Sequence, residues 1–199
     1  MKRVIGGGIL GGLVLFVWGA VAHMALPLGT AGLRVIPPSQ EAAVLAAMQG
    51  AMSERALYMF PGMDPSRETT DEEQRAWMAK YAAGPAGIVA FNPHPAARVS
   101  GAAGWLFPSW FLTEFLGDIL AALVAAFLVT HVPATAGYGK RVLLVGSLGL
   151  LMTLDIDLGY WNWYAFPTSY ALAQLVDHTV GWSLVGLVLA RICRGVQAP

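Results

Sequence analysis

The sequence has few charged residues and almost no cysteine. Only 12% of its 199 residues are Asp, Glu, Lys or Arg, whereas 56% are hydrophobic. A soluble domain carries about 25% charged residues. The net charge is zero, so no basic excess indicates a nucleic-acid partner. The single cysteine, Cys193, excludes an internal disulfide and a cysteine-based metal cluster within one chain. These shortages indicate a membrane protein with no nucleic-acid partner.

Common enzyme motifs are also missing. The sequence contains no GxSxG, HExxH, Walker A or CxxC motif. Ser109 and Ser169 have no spacing-based partner that would make either of them a nucleophile. Nothing in the sequence argues for an enzyme or points to a cofactor, so a non-enzymatic protein is the favoured interpretation.

Four apolar runs are long enough to cross a bilayer, which takes about 20 mostly apolar residues. They cover Val4–Ala22, Trp110–Thr130, Val142–Leu158 and Tyr170–Leu189. The third run is the shortest and only just meets this length. The sequence therefore predicts four transmembrane helices.

The first run also resembles a signal peptide, because it follows Met-Lys-Arg. Its apolar part spans 19 residues, longer than the usual core of about 7–15. Gly7 with Gly11, and Gly8 with Gly12, have the spacing that lets membrane helices pack closely. We therefore predict a retained helix. In the alternative, cleavage would leave His23 as an N-terminus able to chelate copper.

The charges predict the topology. Three segments that flank the predicted helices contain bases and no acids. Their members are Lys2 and Arg3, Lys140 and Arg141, and Arg191 and Arg194. The positive-inside rule places these segments in the cytoplasm. Both termini are then cytoplasmic, and the segment 23–108 lies outside, in the periplasm of a Gram-negative cell.

The segment 23–108 holds six bases and seven acids, a balance typical of a wet surface. A structureless stretch of this length is uncommon in a compact protein. Ser39 is a candidate cap for one helix, and Thr70 with Glu73 forms a capping box for another. The predicted elements are a helix over Gln40–Met52, a strand over Arg55–Phe60, a helix from Thr70 to Gly84 and a strand over Gly87–Phe91.

The predicted fold is a membrane α-helical protein with four transmembrane helices. A small extracytoplasmic α+β domain is inserted between helices 1 and 2. The predicted parts are helix 1 over 1–22, this domain over 23–108, and helices 2 to 4 with a cytoplasmic C-terminus over 109–199. Trp105 and Phe107 begin one aromatic cluster, and "YWNWYAF" forms another. Both clusters are typical of a membrane interface, here the outer one.

Five acids lie in or beside the predicted membrane helices. They are Glu114, Asp118, Asp155, Asp157 and Asp177. At about 1.5 Å per residue from the aromatic clusters, all five fall in one layer in the outer part of the bilayer, near His23 and His178. Asp155 and Asp157 are two residues apart, so a helix turns them away from each other. We expect at most one of these two to face the centre of the layer.

Three interpretations of this layer stay open. The acids can cap or solvate the outer helix ends, which is the favoured interpretation because buried polar groups usually find such partners. They can instead form a proton- or cation-handling site or a polar ligand cavity, with His178 as a further member. In the third interpretation, His23 and His178 bind a transition metal together with carboxylates.

The stretches "FVWGAVAHMALPLG" and "YWNWYAFPTSYALAQ" resemble a family of small bacterial four-helix inner-membrane proteins of unknown function. The resemblance implies a multi-pass protein of the bacterial inner membrane and assigns no residue roles. The favoured function is a non-enzymatic accessory or scaffold protein. It would present its outer domain to a membrane-complex partner or to another copy of itself. The alternative is a small proton- or cation-coupled carrier or sensor that uses the acidic layer.

Overall fold

The computed structural model describes residues 1–64, 66–94, 109–133 and 135–193. The sequence predictions for Arg98, Trp105, Phe107 and Arg194 lie outside these residues. The described residues belong to two compact units. The larger unit contains the described parts of 1–33, 98–162 and 166–199, and the smaller one contains those of 34–97 and 163–165.

Four helical spans of the larger unit are long and apolar enough to cross a membrane, as the sequence predicts. The spans are α1 (Lys2–Ala20) with the π turn Val21–Ala25; α4 (Ser109–Thr130); α5 (Tyr138–Met152), which continues through the π turn Thr153–Asp157 into α6 (Leu158–Trp163); and α7 (Thr168–Ile192). Many apolar side chains on these helices are exposed on the bundle surface, as contact with a lipid bilayer requires.

The third span is longer than predicted. The sequence analysis ends it near Leu158, but the helix continues to Trp163. The aromatic residues of this stretch fit into a helix, and the backbone turns only at Ala165, which has a positive φ of 57°. Pro167 follows as the cap of α7. The predicted end of the third helix near Leu158 is therefore wrong.

Glycines set the helix contacts of α1. A β-carbon on Gly12 would lie 2.5 Å from Ile119 Cα of α4, so the two backbones touch there. Gly7 instead faces α7, where a β-carbon would lie 3.2 Å from Leu189 Cδ2, and a β-carbon on Gly11 would lie 3.2 Å from both Ala122 of α4 and Val185 of α7. α1 therefore packs on both α4 and α7, and the predicted close-packing role of its glycines is confirmed.

Helix α5 packs on α7 through a similar close approach. A β-carbon on Gly149 would collide with the carbonyl oxygen of His178, and one on Gly186 would lie 2.9 Å from the carbonyl oxygen of Val142. Around these contacts lies a core of fully buried apolar side chains, including Val145 and Val185. These glycine contacts fix the position of α5 along the axis of α7. This axial position decides which polar side chains of the two helices meet.

The smaller unit has the predicted order of helix, strand, helix and strand. The elements are α2 (Pro38–Ala51), β1 (Ala56–Phe60), α3 (Asp71–Ala83) and β2 (Gly87–Phe91). The two strands pair antiparallel with Tyr58 opposite Val89. Ser39 lies inside α2 rather than capping it, because Pro38 already occupies the first turn, where proline is favoured. That cap prediction is wrong.

The predicted capping box of α3 is confirmed. The Glu73 backbone N–H donates to Thr70 Oγ1, and the Thr70 N–H donates to the Glu73 carboxylate. Arg67 Nη2 also donates to Glu73 Oε1 at 2.6 Å. The hydrogen bond from Arg67 and that from the Thr70 backbone lower the pKa of Glu73 to about 2. The same ion pair raises the pKa of Arg67.

Candidate functional site

Helix α7 carries an acid and a base in adjacent positions, Asp177 and His178. Trp18 Nε1 of α1 donates to Asp177 Oδ1 at 2.6 Å and to the Asp177 carbonyl oxygen at 3.0 Å. His23 Nε2 lies 3.0 Å from Asp177 Oδ2. Asp177 is only 8% exposed. Its two carboxylate oxygens therefore join the C-terminal end of the first span to α7.

His178 contacts an aspartate of the third span, whereas Asp177 contacts a histidine of the first span. The Nδ1 of His178 lies 3.2 Å from Asp157 Oδ2 and 3.3 Å from Thr153 Oγ1. Asp157 is 2% exposed, and its Oδ2 has no aligned hydrogen-bond donor among the described residues. The contact with His178 is thus an ion-pair distance without a well-directed hydrogen bond. A buried, unsatisfied carboxylate oxygen is rare and calls for an explanation.

The two contacts form a crossed pair: the acid of α7 meets a histidine, and the histidine of α7 meets an acid. Adjacent residues on a helix point about 100° apart, so Asp177 faces α1 while His178 faces the third span. We call His23–Asp177 and Asp157–His178 the crossed His–Asp pairs. They bring together four of the residues that the sequence analysis selects.

Each crossed pair contains one residue from a π turn. His23 lies in the π turn Val21–Ala25, and Asp157 lies in the π turn Thr153–Asp157. A π turn adds a residue to the hydrogen-bonded loop of a helix, so it changes the direction in which nearby side chains point. Such turns are rare and occur frequently at functional sites.

A cavity of about 670 Å³ lies beside the crossed His–Asp pairs. Residues of all four spans line it. Its polar lining consists of His23, Glu114, Asp118, Gln174, Asp177 and His178. Glu114 and Asp118 are four residues apart and share one face of α4. No lysine or arginine is among the described residues of the lining, so carboxylates dominate its charge.

Asp155 is the predicted site residue that stays apart. It lies on the exposed surface of its span, while Asp157 is buried. This confirms that the two aspartates point in different directions and identifies Asp157 as the one directed inward. Neither of them lines the cavity.

The metal prediction finds no geometric support in the described part of the chain. No group of three or more His, Cys, Asp or Glu side chains there could hold a metal ion. His23 and His178 contact different aspartates, His23 on the side of α7 that faces α1 and His178 on the side that faces the third span.

Sequence reasoning missed two members of the site, Trp18 and Thr153. The tryptophan was interpreted only as part of an apolar run, yet its ring packs where Gly181 leaves room. A β-carbon on Gly181 would lie 2.7 Å from Trp18 Cδ1. Gly181 follows Asp177 by one helical turn, so both residues share the face that α1 covers. A glycine one turn after an intramembrane acid is the signal that could have pointed to a neighbouring large ring.

No protein-family model, curated protein or solved structure matches the chain. The resemblance to a family of small bacterial membrane proteins therefore stays a prediction. The functional conclusions below depend on the geometry of the crossed His–Asp pairs and the cavity.

Proposed function

We propose that this protein is a small proton- and cation-coupled carrier or sensor that acts through the acid-lined cavity. The observation that carries the proposal is the pair of crossed His–Asp contacts beside that cavity. The sequence alone favours an accessory or scaffold protein and offers this carrier or sensor function as the alternative. The favoured structural interpretation, in which the acids cap or solvate helix ends, accounts for the hydrogen bond from Trp18 to Asp177 but not for the two histidine contacts between spans.

Ionisable side chains within a membrane are costly. An acid at the bilayer centre costs about 2.5–3.5 kcal/mol on insertion scales, so such residues are rare and mark ion or proton pathways. A His–Asp pair can hold its proton on either partner, and the pair is then either ionic or neutral. The crossed pairs thus provide two places where a proton can be stored or moved within the membrane span.

Proton and cation handling are linked by charge. A cation that enters the cavity competes with protons for the carboxylates that line it. Binding a cation therefore releases protons, and adding protons releases the cation. A carrier uses this exchange to couple two gradients, and a sensor uses it to change shape. Asp157, whose Oδ2 is unsatisfied, does not line the cavity and is connected to it through His178.

Infrared difference spectroscopy of the full chain in lipid nanodiscs tests this proposal. We expect a pH change to produce bands of protonated carboxylic acids in an apolar environment. Asp157→Asn and Asp177→Asn should each remove part of this signal. Asp155→Asn is the matched control, because it makes the same change on the exposed side of the same span. Equal effects of all three variants, or no such bands in the unmodified protein, would contradict the proposal.

We also propose that the protein lies in a bacterial inner membrane with both termini in the cytoplasm and the smaller unit outside. The basic segments support this orientation. The test uses a Cys193→Ser chain with one new cysteine, either Glu72→Cys or Lys140→Cys. A membrane-impermeant maleimide added to intact spheroplasts should label the first variant only. Labelling of the second alone would reverse the orientation.

A second candidate function is that of an accessory or scaffold protein. Leu57 and Met59 of β1 point to the same face of the sheet and are 70% and 56% exposed. Exposed apolar patches often mark protein interfaces. A partner that binds there should copurify from native membranes with the full chain and be lost on Leu57→Ser/Met59→Ser. Met78→Ser, which removes an exposed methionine of α3, is the control and should retain it.

A further inference from the structure

We infer that the cavity binds an organic cation with an apolar, aromatic-compatible body, in preference to an inorganic ion. This inference rests on the proposed function and names the ligand class of the same cavity. It depends on three properties of the lining: its volume, its aromatic walls and the placement of its carboxylates.

The volume fits a small organic molecule. Ligand pockets commonly measure about 300–1,000 Å³, and this cavity measures about 670 Å³. An inorganic cation needs far less space but demands several oxygen ligands within a small cage. The carboxylates of this cavity come from different helices, and the described residues contain no cluster that would form such a cage.

The walls of the cavity are aromatic. Phe16 and Trp18 of α1, Phe111 of α4 and Trp182 of α7 all line it. Phe16 also packs edge-on against Phe115, with ring centroids 5.3 Å apart, which holds this side of the wall in place. Aromatic faces attract organic cations, and quaternary ammonium groups are the best-known examples. They offer no such ligation to a hydrated metal ion.

The carboxylates provide the charge that an organic cation requires. Asp177 is held by Trp18 and His23, whereas no hydrogen bond or ion pair from the described residues occupies the carboxylate oxygens of Asp118 or Glu114. Glu114 is exposed and Asp118 is half-buried on the same face of α4. Glu114 therefore lies at the rim of the cavity and Asp118 deeper inside. This order of charges suits a cation that enters from the rim.

Binding of benzyltrimethylammonium to the full chain in detergent tests the inference by calorimetry, with detergent-only blanks. Its neutral isostere, neopentylbenzene, has the same shape without the charge. We expect saturable binding of the ammonium compound and at least about tenfold weaker binding of the isostere, since one favourable charge contact of about 1.4 kcal/mol changes affinity tenfold. Potassium and magnesium chloride at equal ionic strength should not displace the ammonium compound.

The variants locate the binding. Asp118→Asn should weaken binding about tenfold, whereas Asp155→Asn should leave it unchanged because Asp155 lies outside the cavity. If Asp118→Asn does not fold, Glu114→Gln at the exposed rim replaces it, with a smaller expected loss. Phe111→Leu should weaken binding about threefold, in line with a cation–aromatic contact. Equal loss in the Asp118 and Asp155 variants, or no loss in either, would overturn the inference.

The outcomes separate this inference from the proposed function. Displacement by potassium or magnesium, together with the pH-dependent infrared bands, would overturn the organic ligand and leave proton and cation handling in place. Equal binding of the neutral isostere would also overturn the inference. Saturable binding of the ammonium compound without any infrared response would support the inference and contradict the proton-coupled function.

Discussion

The larger unit, which contains the four membrane-spanning helices, and the smaller unit use acidic side chains in opposite ways. In the smaller unit, Glu73 binds Thr70 and Arg67, which lie three and six residues away, at the exposed start of one helix. In the membrane-spanning unit, Asp177 binds Trp18, 159 residues away in the chain. The contacts of Glu73 are local and exposed to solvent. The contacts of Asp177 are largely buried and join spans that are far apart in the sequence.

This difference in burial determines how much each acid matters for stability. An exposed ion pair contributes little to stability, because water screens it and long side chains lose entropy on pairing. Removing one member of a buried ion pair is more damaging, because it leaves the other charge buried without compensation. The same residue type therefore shapes one helix end in the smaller unit and couples several spans in the larger one.

The largest expected effect comes from breaking a crossed His–Asp pair. Asp157→Ala should destabilise the full chain by about 3–5 kcal/mol, because it leaves His178 without its buried partner. Asp155→Ala should change stability by less than about 0.5 kcal/mol, as surface substitutions usually do. Unfolding in mixed detergent micelles measures both. Similar losses of unfolding free energy in the two variants would contradict the claim that the buried and the exposed aspartate contribute differently to stability.

The next effect tests the close approach that brings His178 to its partner. Gly149→Ala should cost about 3 kcal/mol, the upper part of the usual range for overpacking, because its neighbour is the His178 backbone rather than a movable side chain. Gly139→Ala on the same helix has open space around it and is the matched control. The same unfolding assay applies, and a neutral Gly149 variant would show that the α5–α7 approach is loose.

A smaller effect is expected at the capping box. Thr70→Ala should destabilise α3 by about 1 kcal/mol, because it removes the side-chain acceptor for the Glu73 N–H. Hydrogen exchange of the first-turn amides of α3 in the full chain measures the loss. The crossed His–Asp pairs should keep their infrared signature in this variant. A change in that signature would show that the local and the distant acids are not independent.

The smallest effect is a dependence of the smaller unit on pH. Glu73 has a pKa of about 2 in the folded chain, below its ordinary value of 4.5. Its ionised form therefore stabilises the fold above about pH 4.5, and this contribution is lost as the pH falls towards about 2. Carboxyl carbon NMR of the full chain should show the low midpoint. Arg67→Gln should raise this midpoint towards 4.5, and an unchanged midpoint would contradict the role of Arg67.

Much of the fold could be predicted from the sequence because its signals are local. Runs of apolar residues indicate the four spans, and the capping box of Thr70 and Glu73 indicates where α3 of the smaller unit begins. The extension of the third span to Trp163 was missed because aromatic residues at a membrane interface are equally compatible with a helix and with a loop. Such a boundary depends on the turn at Ala165 rather than on residue type.

The sequence by itself determined which acids lie within the spans and that Asp155 and Asp157 point apart, because helical geometry alone requires it. Only the tertiary structure decided that Asp177 meets His23 and that His178 meets Asp157. These partners come from different helices, and two π turns change the direction of one member of each pair. The glycine contacts then set the height of each helix, and no spacing within a single helix contains that information.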